Sequence, residues 1–420
     1  MAHRIVILGG GTGGTLVANR LQRHYGQQAH ITVIDRDDSH LYQPGLLFVP
    51  FGLAEPSEIV RPRHAQLRDG IHFRLAEAHS VDSAQNTVHL DDGTEVPYDV
   101  LLIATGASLQ PEETEGLSGP EWGRSVHTFY SLAGACALRG ALAELSGGRL
   151  VVNVIDMPIK CPVAPLEFCL LADWQLRQRG LREDVEITLV TPLDGAFTKP
   201  VASERLGALL GERDIRVESE FATGRVDADA RLIHSWDERQ VPFDLLVAIP
   251  VHGGPEYVAR SPGLGDALGF VATDRHTLQS RAAANIFVIG DATDVPTSKA
   301  GSVTHFEGEI VAGNIQRFLE GGELEASYDG HANCFIETGF HKALLIDFNY
   351  EMEPMPGRFP DPHLGPLPLL AESRLNHIAK LAFQPLYWHV LLPGHDIPGV
   401  SSHLRSGSEP EALEHSGAQR

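Results

Sequence analysis

A chain of 420 residues with 43% apolar side chains is long enough to bury two or three globular cores, which excludes a disordered polymer. Its formal charge of −22 argues against nucleic acid, or anionic lipid over the whole surface, as a partner, because phosphate contacts need Lys and Arg. Four cysteines, none before Cys136, exclude a disulfide framework and lack the CxxC pairing of a zinc site.

The N-terminus reads directly into a strand, Arg4 to Leu8, with no charged leader or cleavage site, so no signal peptide is expected. Gly9-Gly10-Gly11-Thr12-Gly13-Gly14 follows, then a helical pattern through Ala18 and Leu21. This is GxGxxG in its strand-turn-helix context. Gly9 makes the turn, Gly11 lets backbone approach a pyrophosphate, and Gly14 lets helix pack on strand. A second strand, His30 to Ile34, ends in Asp35, placed to bind ribose hydroxyls. Tyr98 to Ile103 is a strand closing on Ala104-Thr105-Gly106.

A second nucleotide-binding unit is predicted from the strand Arg149 to Ile155 and the helix Leu166 to Arg177, but the turn between them departs from pattern. It reads Asp156-Met157-Pro158-Ile159-Lys160-Cys161-Pro162-Val163-Ala164-Pro165, with bulky residues and prolines where backbone must meet phosphate. The next strand, Val185 to Val190, ends in Thr191-Pro192 rather than an acid or arginine, so NAD(P)H fits poorly here. Cys161 sits instead in this turn, beside a helix N-terminus and next to Lys160, an environment expected to lower its thiol pKa. Cys169 reads as a buried hydrophobe, and Gly134-Ala135-Cys136-Ala137-Leu138 reads as a packed helix.

Further on, Ile286 to Ile289 is a strand closing on Gly290-Asp291-Ala292, with a helix starting near Lys299-Ala300-Gly301-Ser302. The stretch His377 to Leu392 is apolar and aromatic and is interrupted by Pro385, which suits two short amphipathic helices with Tyr387 and Trp388 at headgroup depth and Arg374 and Lys380 toward lipid, the alternative being a helix packed on the first nucleotide domain or at a dimer interface. No stretch of roughly eighteen apolar residues predicts a spanning helix. Most of the 21 histidines are expected at the surface, with no metal site, and the polar tail Ser406 to Arg420 is expected to be disordered.

The strand-turn segments ending at Thr105-Gly106 and Gly290-Asp291 resemble the ATG and GD motifs of the two-dinucleotide-domain disulfide reductase superfamily. That implies FAD at the first site, with Asp291 on the ribityl chain. It also implies the helix N-terminus at Gly301 facing the flavin pyrimidine ring, and Lys299 adding charge. Lys160 to Phe168 and Asn333-Cys334-Phe335-Ile336-Glu337 look like the two cysteine segments of the sulfide:quinone oxidoreductase and flavocytochrome c sulfide dehydrogenase family. Gly195 to Pro200, Phe270 to Asp274 and Asp291 to His305 extend the likeness over most of the chain.

The resemblance implies an α/β fold of two Rossmann-like dinucleotide-binding domains plus a C-terminal region with amphipathic helices. Residues 1–110 and 265–325 would form the FAD domain, 111–264 the domain carrying the cysteine loop, and 326–420 a quinone- and membrane-associated region. It implies a redox disulfide between Cys161 and Cys334, Glu167 taking a proton from the sulfur species, and oxidation of sulfide to polysulfide or sulfane sulfur with quinone as acceptor. Phe335, Phe383 and Tyr387 are the quinone candidates, and Pro44 and Tyr42 line the flavin edge. No cysteine occurs in that neighbourhood, so the FAD is expected to be non-covalent. The implied location is the cytoplasmic side, peripheral to the inner membrane, with a homo-oligomer left open. The competing readings are a sulfide or persulfide dehydrogenase with a cytochrome acceptor, a type II NADH:quinone oxidoreductase, and a flavin-containing sensor.

Overall fold

The computed structural model describes residues 2–397 and 399–404; the tail expected to be disordered lies outside them. The chain opens with β1 (His3–Leu8), α1 (Thr12–Tyr25), β2 (Ala29–Asp35), β3 (His72–Leu75) and β4 (Val100–Ile103). It continues through β5 (Val126–His127), β6 (Gly148–Val154), α2 (Ala164–Gln178), β7 (Val185–Val190), β8 (Ile215–Glu218) and β9 (Leu245–Ile249). The last third supplies β10 (Ile286–Val288), α3 (Gly301–Leu319), the hairpin β11 (Ala332–Gly339) and β12 (Lys342–Phe348), and α4 (Arg374–Leu386).

Two five-stranded parallel sheets result. The first has the order β10-β4-β1-β2-β3, the second β5-β9-β6-β7-β8. Their central strands read as near-continuous apolar runs because both faces are covered, as in β4, where all four residues are buried. A crossing pair, Ser108–Gln110 antiparallel to Val251–Gly253, ties the two units together. The expected pair of Rossmann-like sheets is thus what the chain forms.

Close helix contact places the cofactor end of the first sheet. A Cβ on Gly308 of α3 would sit 2.0 Å from a Leu16 methyl of α1, so the two helices pack closely there and a larger residue would have to displace the Leu16 side chain. On the other side, the β11–β12 hairpin lies between α2 and α4. Ser373 caps α4 by accepting the Asn376 N–H at 2.9 Å.

The predicted break at Pro385 falls elsewhere. Pro385 lies in the last turn of α4, and the chain then widens into a π-helical turn, Tyr387–Leu391. Proline removes one helix N–H, and a wider turn re-pairs the backbone while rotating the following side chains inward. Tyr387 and Trp388 are consequently buried, not at headgroup depth.

Candidate active site

The glycine turn has the three-part geometry that a pyrophosphate requires. Gly9 has φ +93°, and a Cβ there would meet the Ala104 carbonyl oxygen at 2.4 Å, while one on Gly14 would meet the Gly9 oxygen at 1.8 Å. Beside Gly11, Gly106 and Gly301 a Cβ would have nothing within 4 Å, so bare backbone opens onto free space at the N-termini of α1 and α3. We expect Gly11→Ala to fold, at a cost of about 1 kcal/mol for the lost glycine cap, and to purify colourless. Gly14→Ala should fail to fold at all; absorbance at flavin wavelengths beside a thermal melt separates the two.

Asp35 closes this loop by accepting the Gly10 N–H at 2.7 Å and pairing with Arg63 at 3.1 Å. Arg63, whose side chain packs over Gly10, carried no signal in the sequence. Thr105 bonds the Tyr257 hydroxyl at 3.1 Å, and Gly290 donates its N–H to Glu307 at 2.6 Å. Burial pushes the Asp291 carboxyl up while Lys299 and Lys160 pull it down. Lys299 is not a solvated lysine: it is buried, donates to the Asp291 and Thr293 carbonyls at 3.0 and 2.8 Å, and lies 4.2 Å from the Phe270 ring centre. Burial lowers its pKa, and Asp291 opposes that.

These residues fit a flavin dinucleotide. Gly11 and the α1 N-terminus suit the pyrophosphate, Asp35 the ribose, Asp291 the ribityl hydroxyls, and the α3 N-terminus at Gly301 an anionic ring. Pro44 is exposed, on a turn above Tyr42, which is buried against Tyr387 with ring centres 4.9 Å apart.

The cysteine loop reaches the same place from the second sheet. Cys161 has φ +46° and donates its N–H to the Lys299 carbonyl at 2.6 Å, so the loop is stitched to the lead-in of α3. Its own carbonyl accepts from the Tyr130 hydroxyl at 3.3 Å. Cys334, on β11, is buried and close enough to Cys161 that negative charge on one opposes ionisation of the other. The two sulfurs are unbonded.

The expected lowering of the Cys161 pKa by Lys160 does not hold. Burial raises it, and the cation that opposes burial is Lys380 of α4; Lys160 faces Asp291 instead. Cys334 is raised further, by burial first and then by Cys161 and Asp347.

Glu167 occupies the first turn of α2, as expected, but buried. It accepts the Glu337 N–H at 2.6 Å and the Lys380 ammonium, which also donates to the Phe335 carbonyl at 3.0 Å. Lys380 therefore points inward rather than toward lipid, and burial lowers its pKa to about 7, with Cys161 opposing. Phe335 and Phe383 are partly buried, and Phe383 lies 6.5 Å from Tyr42. Tyr387 is set apart: its hydroxyl bonds Thr12 at 2.8 Å and His40 at 2.7 Å, against the glycine loop. A phenol with two internal partners is better satisfied there than at an interface.

Cys169 is buried in α2 and raised by burial; Cys136 is exposed on the helix Leu132–Glu144 rather than packed. His40, His127, His252, His305 and His331 are the buried histidines among the described residues, the others being partly or fully exposed as expected, and burial holds His40 and His252 near 3.

Residues 3–144 match the pyridine nucleotide-disulphide oxidoreductase family model. Over 400 residues the chain is 26% identical to the mitochondrial sulfide:quinone oxidoreductase of Mus musculus, covering 94% of this chain and 87% of that one. The sulfide-quinone reductase of Aquifex aeolicus is 28% identical over 310 residues, 70% of each chain. The solved structure of the sulfide:quinone oxidoreductase from Aquifex aeolicus superposes with a TM-score of 0.79 at 23% identity, covering 94% of this chain and 92% of that one.

Proposed function

We propose that this chain, a homologue of the sulfide:quinone oxidoreductases, oxidises sulfide and passes both electrons through a non-covalently bound FAD to a quinone. The observation that carries this reading is the cysteine loop. In the turn where a nicotinamide nucleotide would need glycines, the chain places Cys161 against the lead-in to α3, with Cys334 beside it and Lys380 as counter-charge.

The chemistry starts from a Cys161–Cys334 disulfide. Hydrosulfide attacks one sulfur; its S–S bond forms as the protein's breaks, leaving a cysteine persulfide and a thiolate. Reoxidation of that pair gives up two electrons and one proton. FAD, when bound, supplies a two-electron relay between the thiols and the quinone. Glu167 and Lys380 hold the released proton between them and return it to the reduced quinone, a role suited to an ammonium titrating at about 7. Phe335, whose carbonyl accepts from Lys380, and Phe383, beside Tyr42, would border the quinone, and Asp35, Asp291 and the α1 and α3 N-termini would hold the cofactor.

The face of α4 opposite Lys380 would meet the membrane that holds the quinone. Leu375, Ile378 and Leu381, 44–59% exposed, form an apolar stripe one helical turn apart, facing away from the protein. No helix among the described residues is long and apolar enough to cross a membrane, so the stripe would dip into one leaflet. Replacing Ile378 and Leu381 by Glu should leave thermal stability within about 0.5 kcal/mol and abolish co-sedimentation with lipid vesicles; retained sedimentation would place the docking face elsewhere.

Anaerobic titration tests the whole reading. Sulfide should bleach the flavin absorbance, a soluble quinone analogue should restore it, and NADH should do nothing. Bleaching by NADH would turn the assignment to a type II NADH:quinone oxidoreductase. Sulfide bleaching that only a cytochrome reverses would make the acceptor a protein.

A further inference from the structure

Resting on this function, the stoichiometry demands a proton that the thiol pair does not supply. Hydrosulfide oxidised to sulfane sulfur releases two electrons and one proton, whereas a quinone reduced to quinol takes two electrons and two protons. One proton per turnover must come from water. The Glu167–Lys380 pair cannot draw it directly, since the two side chains are only 3% and 10% exposed.

We propose that His377 and Glu337 form the proton entry to this site, passing one proton per turnover from solvent to Lys380 and Glu167. His377 lies three residues before Lys380 on α4, on the neighbouring turn of the same inward face, at the rim where that face meets the exposed stripe. Its Nδ1 bonds the Glu337 carboxylate at 2.9 Å; its side chain is 17% exposed and that of Glu337 is 3% exposed. His377 therefore touches water on one side and a sealed carboxylate on the other. The peptide N–H of the same Glu337 donates to Glu167 at 2.6 Å, which fixes the two carboxylates on adjoining sites of β11 and α2.

Exposed His341, from the β11–β12 turn, faces the His377 ring edge-on with centres 5.6 Å apart, widening the contact with solvent. Charged groups near this side include Arg374 one turn earlier on α4, Lys342 after His341, Arg213, 4.5 Å from the Phe340 ring, and Glu372, to which Arg213 is paired at 3.4 Å. Arg213 also pairs with Asp173, so this couple is already committed to structure. Burial raises the Glu337 carboxyl while His377 lowers it, so the pair can hold a proton that is shared between them. His377 and Glu337 act on the reaction through Lys380 and Glu167.

The test separates the half-reactions of the purified holoenzyme. In His377→Ala and Glu337→Gln, sulfide-driven flavin bleaching should stay within about twofold of wild type. Reoxidation by a soluble quinone should slow on the order of tenfold or more and acquire a larger solvent deuterium effect. Added imidazole should restore His377→Ala, which a purely structural role would not allow. The imidazole 15N shifts of His377 should change in Glu337→Gln with loss of the Nδ1 bond, a readout independent of turnover. Unchanged reoxidation, or equal slowing of both halves without imidazole rescue, overturns the proton entry. If wild-type enzyme bleached by sulfide is not reoxidised by any quinone, the function itself is wrong and the entry falls with it.

Discussion

Cys161→Ser and Cys334→Ser should each lower sulfide-dependent flavin reduction on the order of a thousandfold while leaving the yellow protein folded and its flavin fully loaded. A serine hydroxyl can form neither a disulfide nor a persulfide, so the loss removes a reaction step and not merely a contact. The two variants should also be equally impaired, because the cysteines act as a unit and the double variant has nothing further to lose. The change is nearly isosteric, but a hydroxyl without a partner at buried Cys334 should cost about 1–3 kcal/mol of stability. Stopped-flow absorbance under anaerobic conditions decides this. Full bleaching in either variant would remove the thiols from the mechanism.

Lys380→Met should have the second largest effect, and it should be felt at two levels. The substitution leaves the Glu167 carboxylate buried with the Glu337 N–H as its remaining protein partner, a loss of about 3–5 kcal/mol when a buried pair is broken from one side. Adding Glu167→Gln should recover much of that stability, since no charge then remains uncompensated. Activity should not recover with it: without a proton donor the quinone step should fall about 10²–10⁴-fold.

The pH profile carries the sign. Lys380 titrates at about 7, below its usual range, so the donor form is present at lower pH and is lost as pH rises through 7; wild-type quinone reduction should decline there, and Lys380→Met should be flat across that interval. For folding the trend reverses. The unfolded chain keeps the lysine proton up to its ordinary pKa, so between about 7 and that value the unfolded state binds more protons and the penalty of burying the ammonium is relieved as pH rises. Chemical denaturation at pH 6 and pH 9 checks this second half.

Much of the fold was legible because parallel core strands announce themselves as apolar runs, and because the glycine turn is a compact device in which Gly14 packs on Gly9, Gly9 on the Ala104 carbonyl, and Gly11 stays open. The cysteine loop was legible by what it lacks, namely the glycines a second nucleotide would need. The environment of Cys161 was not. Lys160 stands next to it in sequence yet faces Asp291, while the cation that matters lies on α4, with 213 residues separating Lys380 from Glu167. Arg63 over the glycine loop and the His377–Glu337 pair were hidden for the same reason: a side chain's partner across a tertiary contact leaves no periodicity to read. The C-terminal aromatic run was read correctly as amphipathic, but Tyr387 and Trp388 were assigned to the wrong side. Composition gives the existence of two faces; only the π-helical turn after Pro385 decides which residues each one takes.

The fastening of the C-terminal segment onto α1 sets a schedule for the ribosome. Tyr387 bonds Thr12, the Leu392 carbonyl accepts from Asn19, the Gly394 carbonyl from Arg23, and Asp396 pairs with Arg20, while the first sheet also waits for β10 to fill its edge. Four residues of α1, Thr12, Asn19, Arg20 and Arg23, thus have partners 371–376 residues further along the chain. The nascent chain must carry an open first sheet through almost the whole of synthesis, and loop closure over such a separation is slow as well as entropically costly. Flavin loading is therefore expected after release, and a stalled or truncated chain ending before residue 387 should emerge apo and sticky.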